Sequence, residues 1–462
     1  MFESRRSRGV SKAETLRCFP TEPHCPSMAL RTANDPRLCN DRSGFSAAQR
    51  HPGPVFVLVV CLLAAVPASA QGLTARFYPR TSVYLLGEPV WFVFEVTNKG
   101  NVPVHIEYSN PFGVCAFGGG YAFDVPDARA AGRWRCGYGA SCAGGGSQLL
   151  AAGATYSQRL LLNQWFLIDH PGRYRVSASR NLRFGGPTSG IGAVLLAPAS
   201  RLFKSEFEVD VIEGEKAEVE KAFEPFLKNL CSRDFDRRIE AIETITAMAP
   251  PFLEETLVAL ATGTDSLAQS RAIPALGRLS TAESRRVLAK LIEDRQEYYI
   301  WQAIDALAQT GDRTYVPLLA GLAREPKWQN LAIPALGELG GRNVISLLVP
   351  FVHYPLGPPN EPPVQSLAIR GLANTRSREA LPYLIEALRD PLVHRDAVNA
   401  LEQLTHLVIR EEKSKHWLYT EDDKTADRMA DRWQHWWKST GEKAELYGPE
   451  DCTSSPEELP EQ

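Results

Sequence analysis

The hydrophobic pattern changes character once along the chain, near residue 213. From residue 73 to 212, short runs of alternating apolar and polar positions are separated by Gly and Pro, as is typical of β-strands. In one such run the alternation puts Phe92 and Phe94 on one face and Trp91 and Glu95 on the other. After a polar hinge the composition shifts to helix formers. The pattern therefore predicts an all-β part followed by an all-α part.

The helical half repeats itself. The phrase "AIPALG" begins at Ala272 and again at Ala332, and a small residue followed by leucine recurs at steps of 31, 29, 36 and 29 residues. In four copies a second leucine follows the first by twelve residues. The recurring steps are Ala275–Leu276, Ala306–Leu307, Ala335–Leu336, Gly371–Leu372 and Ala400–Leu401, with Ala241–Ile242 as a degenerate earlier copy.

Twelve residues hold the end of one helix, a short turn and the first turns of a second helix, so each unit is interpreted as an antiparallel helix pair. One pair cannot bury its apolar face alone, and several must stack into a solenoid. About six pairs are expected between residues 218 and 440. Pro274 and Pro334 are expected early in the first helix of their units, where a missing N–H costs least or a bend suits the curvature.

These units resemble HEAT repeats, of the short bacterial kind named for phycobiliprotein lyases, over residues 218–437. The resemblance implies an α-solenoid that presents an extended surface to a protein or peptide and requires no cofactor. Trp433, Trp436 and Trp437 are spaced to cover the end of the last unit. The remainder, residues 441–462, is acidic and predicted to be disordered.

The β half resembles the immunoglobulin-like modules of bacterial exported proteins, through "GEPVWFVFEVTNKGNVPVHI" and "HPGRYRVSA". Residues 72–212 are therefore expected to form an immunoglobulin-like β-sandwich. A Gly-rich stretch interrupts it and holds Cys115, Cys136 and Cys142. Cys115 is a candidate for a disulfide with either of the other two, and the spacing leaves the pairing open. The stretch is interpreted as a tolerated insertion or as a binding loop.

Residues 55–70 have the pattern of a secretory signal. An apolar run follows Arg50 and ends in Ala68-Ser69-Ala70, the small-residue pattern that signal peptidase cleaves. Cleavage after Ala70 predicts a secreted or periplasmic protein, and an uncleaved membrane anchor is the alternative. Residues 1–54 are interpreted as a disordered leader or a mis-assigned start, with Met28 as another possible start.

The charge balance argues against nucleic acid as the partner. The chain carries 51 Lys and Arg against 54 Asp and Glu. Residues 1–70 hold nine of the basic and five of the acidic residues, so the remainder has 42 and 49, a net charge of −7. A negative chain does not favour nucleic acid or anionic membrane surfaces. After signal cleavage no stable membrane span is expected.

No set of residues typical of catalysis or metal binding emerges. The di-iron hydroxylases built on HEAT repeats hold their irons with repeated His-Glu pairs. In this chain none of the nine histidines is followed by Glu. The stretch "GYGASCAGG" approaches a G-x-S-x-G nucleophile elbow, but Ala143 replaces its last glycine. Cys142 is therefore interpreted as half of a disulfide rather than a nucleophile. We predict no catalytic, cofactor-binding or metal-ligating residues.

Aromatic residues at the junctions between units are the candidate binding residues. Tyr298, Tyr299 and Trp301 lie at one junction and Trp328 at the next. Such residues often anchor interfaces, although packing between successive units is the alternative interpretation. The sequence favours a non-enzymatic exported scaffold that binds a protein or peptide. A protease inhibitor acting through the Cys/Gly loop, and a lyase or oxidoreductase by family association alone, are the alternatives.

Overall fold

A computed structural model describes residues 72–109, 121–130, 145–185, 199–295, 298–353, 363–409, 423–447 and 457–458. The predicted leader, the predicted signal and the three clustered cysteines lie outside these ranges. In the described part, no helix combines the length and the apolar character needed to cross a bilayer.

The first part of the chain, called the β region here, folds into two main open sheets. A three-stranded sheet has the order β1-β3-β8, and a six-stranded sheet has the order β2-β11-β10-β4-β7, with β5 also paired to β10. The described strands of this region are β1 (Leu73–Pro79), β2 (Val83–Leu85), β3 (Trp91–Asn98), β4 (Val104–Ser109), β5 (Tyr121–Asp124), β6 (Arg129–Ala130), β7 (Gly145–Leu150), β8 (Thr155–Leu161), β9 (Phe166–Leu167), β10 (Gly172–Gly185) and β11 (Ala199–Ile212).

The two sheets share one apolar core. Phe92 and Phe94 of β3 lie in it with Tyr174 and Val176 of β10, all at most 1% exposed. The alternation in β3 thus gives the core face that the sequence predicts. Trp91, on the opposite face of β3, is also buried, because the first helix of the second part covers it.

The second part, called the solenoid here, consists of helices. Those in the described ranges are α1 (Lys216–Asn229), α2 (Phe235–Met248), α3 (Glu254–Thr262), α4 (Ser266–Leu279), α5 (Ala282–Glu293), α6 (Ile300–Gln309), α7 (Val316–Ala323), α8 (Gln329–Leu339), α9 (Arg342–Val352), α10 (Val364–Asn374), α11 (Leu381–Ala387), α12 (His394–Thr405) and α13 (Asp423–Ser439).

After α1, the helices alternate between two rows, which confirms the predicted helical solenoid. The even-numbered helices, α2 to α12, are called A helices here and pack against one another in order along the chain. The odd-numbered helices, α3 to α13, are called B helices, and each described B helix before the last packs against the next A helix. The nine leucines of the repeat pattern are all 0% exposed: Leu276, Leu288, Leu307, Leu319, Leu336, Leu348, Leu372, Leu384 and Leu401.

The glycine of each "AIPALG" phrase lies where two A helices meet. A Cβ added to Gly277 would come within 2.8 Å of the Ala306 carbonyl oxygen, and one added to Gly337 would lie 2.0 Å from that of Gly371. Glycine is therefore required by the close approach of the two backbones. A glycine with positive φ also follows two of the A helices, Gly311 after α6 and Gly340 after α8.

The prolines of the phrase are not early in their helices, contrary to the sequence expectation. Pro274 is in the interior of α4, which begins at Ser266, and Pro334 is in the interior of α8. A proline has no N–H to bond the carbonyl four residues before it. In α4 that carbonyl belongs to Ser270, and it accepts a hydrogen bond of 3.3 Å from Gln302 Nε2 of α6. The next A helix thus replaces the lost donor.

The last helix closes the solenoid. Trp433 and Trp436 of α13 are 0% and 8% exposed, and Trp437 packs against the same core. Beyond α13, where the composition predicts disorder, the Tyr447 N–H donates to the Leu404 carbonyl at 2.8 Å. A further described segment, β13 (Glu457–Glu458), pairs in parallel with β12 (Leu407–Val408).

Direct contacts join the β region to the solenoid. The rings of Trp91 on β3 and Phe226 on α1 stack with centroids 6.3 Å apart and planes 20° apart. Arg159 on β8 forms an ion pair with Glu240 on α2. Glu240 is in the position of α2 that Pro274 occupies in α4, so the first A helix offers this face to the sheets.

Candidate functional site

Two aromatic side chains face solvent where one helix pair leads into the next. Tyr298 precedes α6, and Trp301 is the second residue of that helix. Their exposed fractions are 77% and 47%. Tyr and Trp are enriched among the residues that carry binding energy at interfaces, so these two adjacent exposed rings are the strongest binding candidates among the predicted residues.

The other two predicted residues, Tyr299 and Trp328, are buried. Tyr299 is 7% exposed, and its hydroxyl donates to the Ser266 carbonyl of the preceding A helix at 3.3 Å. Trp328 is 8% exposed, with Lys327 Nζ 4.8 Å from its ring centroid. These two pack between successive pairs, so the four predicted residues do not form one exposed surface.

A row of positions along the A helices extends the exposed pair. Pro274, Asp305 and Pro334 occupy the same repeat position in α4, α6 and α8, directly before the small residue. All three are partly exposed. Trp301 and Asp305 are four residues apart in α6, so they lie one helical turn apart on the same face. Because α6 packs between α4 and α8, this face is flanked by the two proline-bearing helices. We call Pro274, Tyr298, Trp301, Asp305 and Pro334 the A-helix strip.

Ion pairs link the neighbouring helix pairs that carry this surface. Arg285 Nε lies 2.9 Å from Asp312 Oδ2, and Arg295 Nη2 lies 2.7 Å from Glu325 Oε1. The Asp312 carboxylate also accepts from the Thr314 hydroxyl at 2.7 Å and from the Thr314 N–H at 3.0 Å. These bonds, the hydroxyl's first, hold the pKa of Asp312 below its usual range. The strip is therefore carried on a connected scaffold rather than on isolated helices.

One carboxyl group is buried between the first two A helices. Glu243 of α2 receives a hydrogen bond of 2.6 Å from Arg271 Nε of α4. The two side chains are 7% and 16% exposed. Burial raises the pKa of Glu243 to about 7, while the Arg271 guanidinium acts in the opposite direction. This pair joins helices α2 and α4.

Two histidines of the solenoid, His394 and His406, serve packing and local hydrogen bonds. His394 is buried with Nδ1 2.6 Å from the Leu388 carbonyl, and the His406 ring stacks on Tyr447 at 3.9 Å. Across the described ranges, no three His, Cys, Asp or Glu side chains are grouped as metal ligands.

The sequence reasoning missed two features of the surface. It placed Pro274 and Pro334 by their effect on the helix and not as exposed side chains. It also treated adjacent Tyr298 and Tyr299 alike. The repeat register contained a signal for the prolines, since both precede the same small residue, but nothing in the sequence separates the two tyrosines.

Comparison with known families identifies the helical units. Residues 251–340 match a model described as HEAT repeats, and residues 364–390 match one described as PBS lyase HEAT-like repeat. Both matches lie within the solenoid and support HEAT repeats there. The first match covers helices α3 to α8, and so includes the A-helix strip. No curated protein matches the chain.

Proposed function

We propose that this protein is a non-enzymatic binding protein that docks a protein or peptide on the A-helix strip of its HEAT repeats. The observation that carries the proposal is the exposure of Tyr298 and Trp301, 77% and 47%, beside two partly exposed prolines. Tyr and Trp are the residues most enriched where interfaces gain their binding energy. HEAT repeats commonly mediate protein interactions through such extended surfaces.

The composition of the strip indicates the kind of segment it accepts. Trp301 and the proline rings offer flat apolar surfaces, which suit an aliphatic or aromatic side chain. Asp305 adds a carboxylate one helical turn away, which Gln309 Nε2 contacts at 3.2 Å. A segment with an apolar anchor and a neighbouring basic residue therefore complements the strip in shape and charge.

Selection from a displayed library of random peptides tests the proposal on the full chain. We expect enriched peptides to bind the wild type at least tenfold more tightly than the double variant Tyr298→Ala, Trp301→Ala, because truncating two anchor rings removes about 2 kcal/mol or more. Tyr383→Ala is the matched control, since Tyr383 is 41% exposed but lies on the B helix α11. Failure to enrich any peptide, or an equal loss in the control, contradicts the proposal.

We also propose that the chain is exported and that the β region is an immunoglobulin-like sandwich. The signal pattern at residues 55–70 and the resemblance of the strand motifs support these assignments. The disulfide at Cys231 adds support, because disulfides persist in oxidising compartments. Its partner lies outside the described residues, as do Cys115, Cys136 and Cys142. N-terminal sequencing of the mature protein tests export, with Gln71 expected as the first residue.

The two other candidate functions gain nothing from the described residues. The Cys/Gly loop, on which a protease inhibitor would depend, lies outside them. A lyase or oxidoreductase would have to be inferred from the repeat family alone, and repeat architecture transfers no activity by itself.

A further inference from the structure

A cavity of about 470 Å³ lies between the β region and the solenoid, and its lining residues are separate from those of the A-helix strip. Its walls come from the β1–β2 turn, β2, β3 and β8 on one side and from α1 and α2 on the other. This volume is within the range of about 300–1,000 Å³ that is usual for small-ligand sites, and junctions between domains are common places for them.

The floor of the cavity is aromatic and apolar. Trp91 and Phe226 stack across the junction, and Tyr84 is 3% exposed with its hydroxyl donating to the Trp91 carbonyl at 2.6 Å. The Tyr84 hydroxyl is thus occupied, and its ring adds apolar surface. Pro89 and Pro225 add apolar ring surface, one from each side. Such a floor fits an aromatic or bulky aliphatic group.

The rim of the cavity carries two arginines and two carboxylates, Arg80, Arg159, Glu88 and Glu240. Arg159 is engaged by Glu240, and Glu88 Oε2 accepts from the Leu85 N–H at 3.0 Å. Burial raises the pKa of the Glu240 carboxyl, while the positive charges of Arg159 and Arg80 lower it. Arg80 itself lines the cavity. Among the described residues, no side-chain hydrogen bond or ion pair engages the exposed Arg80 guanidinium.

We propose that this cavity binds a carboxylate attached to an aromatic or bulky apolar group, with Arg80 holding the carboxylate and the Trp91–Phe226–Tyr84 floor holding the ring. A guanidinium pairs with a carboxylate through two parallel N–H donors, which gives orientation as well as affinity. The C-terminus of a peptide and a free N-acylated amino acid share this chemistry. The proposal is independent of docking on the A-helix strip.

Isothermal titration calorimetry on the full chain tests it with four probes. These are N-acetyl-phenylalanine, its amide, the tetrapeptide Gly-Gly-Gly-Phe and the amide of that peptide. We expect at least one of the two acids to bind, and its amide to bind at least tenfold more weakly, because the amide lacks the charge that Arg80 recognises. Tighter binding of the peptide acid assigns a peptide C-terminus, and tighter binding of the acetylated amino acid assigns a small molecule.

Two variants locate the binding. Arg80→Gln is expected to weaken acid binding about tenfold, whereas Arg175→Gln, an exposed arginine of β10 outside the cavity, is expected to leave it unchanged. Ala222→Trp places a ring in the cavity from α1 and is expected to abolish binding. Each variant's melting temperature is compared with that of the wild type to confirm folding. Absence of saturable binding, equal binding of acid and amide, or unchanged binding by Arg80→Gln and Ala222→Trp overturns the proposal.

Discussion

The β region and the solenoid differ in how far apart along the chain their contacting residues are. In the β region, contacts join distant parts of the chain, as where the Phe77 N–H donates to Ser205 Oγ across 128 positions. In the solenoid the corresponding links are near in sequence: Arg271 meets Glu243 across 28 positions, and Gln302 meets Ser270 across 32. The β region is therefore expected to unfold as one unit, whereas the solenoid gains its stability from neighbouring pairs.

The largest expected effects come from truncating one core residue in each region. Phe94→Ala, at a 0% exposed position of β3, should cost about 3–5 kcal/mol, and Leu401→Ala, at a 0% exposed position of α12, about 2–5 kcal/mol. Native-state hydrogen exchange distinguishes the two regions. Phe94→Ala should accelerate exchange throughout both sheets, whereas Leu401→Ala should accelerate it in α11 to α13 and leave α2 to α6 unchanged.

An exposed leucine beside α12 provides the control for the two core truncations. Leu392→Ala removes a side chain that is 53% exposed beside α12 and should change stability by less than about 0.5 kcal/mol. If Leu401→Ala accelerated exchange equally in every helix, the solenoid would be one cooperative unit, and the contrast between the regions would be lost.

The second test uses the buried carboxyl of the solenoid. The pKa of Glu243 is about 7 in the folded protein against 4.5 for a free side chain. Between these values the folded state binds more protons than the unfolded state, so this group makes stability fall as pH rises from about 4.5 to 7. Relative to Glu243→Gln, the free energy of unfolding of the wild type should fall by up to about 3 kcal/mol over that window.

Urea unfolding at several pH values from 4.5 to 8, followed by helical circular dichroism, measures this difference. Hydrogen exchange should place the loss in α2 and α4 and not in the sheets. If the free energies of unfolding of the wild type and Glu243→Gln changed in parallel with pH, the prediction would be wrong, and the Arg271 guanidinium would keep Glu243 ionised throughout.

The smallest effect comes from glycine, and its sign depends on position. Gly337→Ala should destabilise the solenoid by about 2 kcal/mol, because its Cβ would meet the backbone of Gly371. Gly321→Ala, in α7, meets no atom within 4 Å and should stabilise by about 0.5–1 kcal/mol. Thermal unfolding of both variants checks the signs. A stabilising Gly337→Ala would show that the A helices can move apart at no cost.

The candidate site was only partly predictable, and the tyrosines show why. Tyr298 and Tyr299 are neighbours in sequence, yet one is 77% exposed and the other 7%. Trp301 and Trp328 differ in the same way. A junction between helix pairs is a fixed feature of the repeat, but the direction of each side chain depends on how the connecting segment enters the next A helix. The junction cavity had no sequence signal, since Arg80 and Glu240 are 160 positions apart.

The sequence by itself determined the solenoid, because a contact between neighbouring pairs recurs every thirty or so residues and leaves a periodic trace of leucines and small residues. All nine of the recurring leucines are buried. The tertiary structure alone decided which aromatic rings remain in solvent, how α1 covers Trp91, and where a cavity opens between the two regions. Those features depend on contacts made once, between segments with no common period, and a single contact leaves no pattern in the chain.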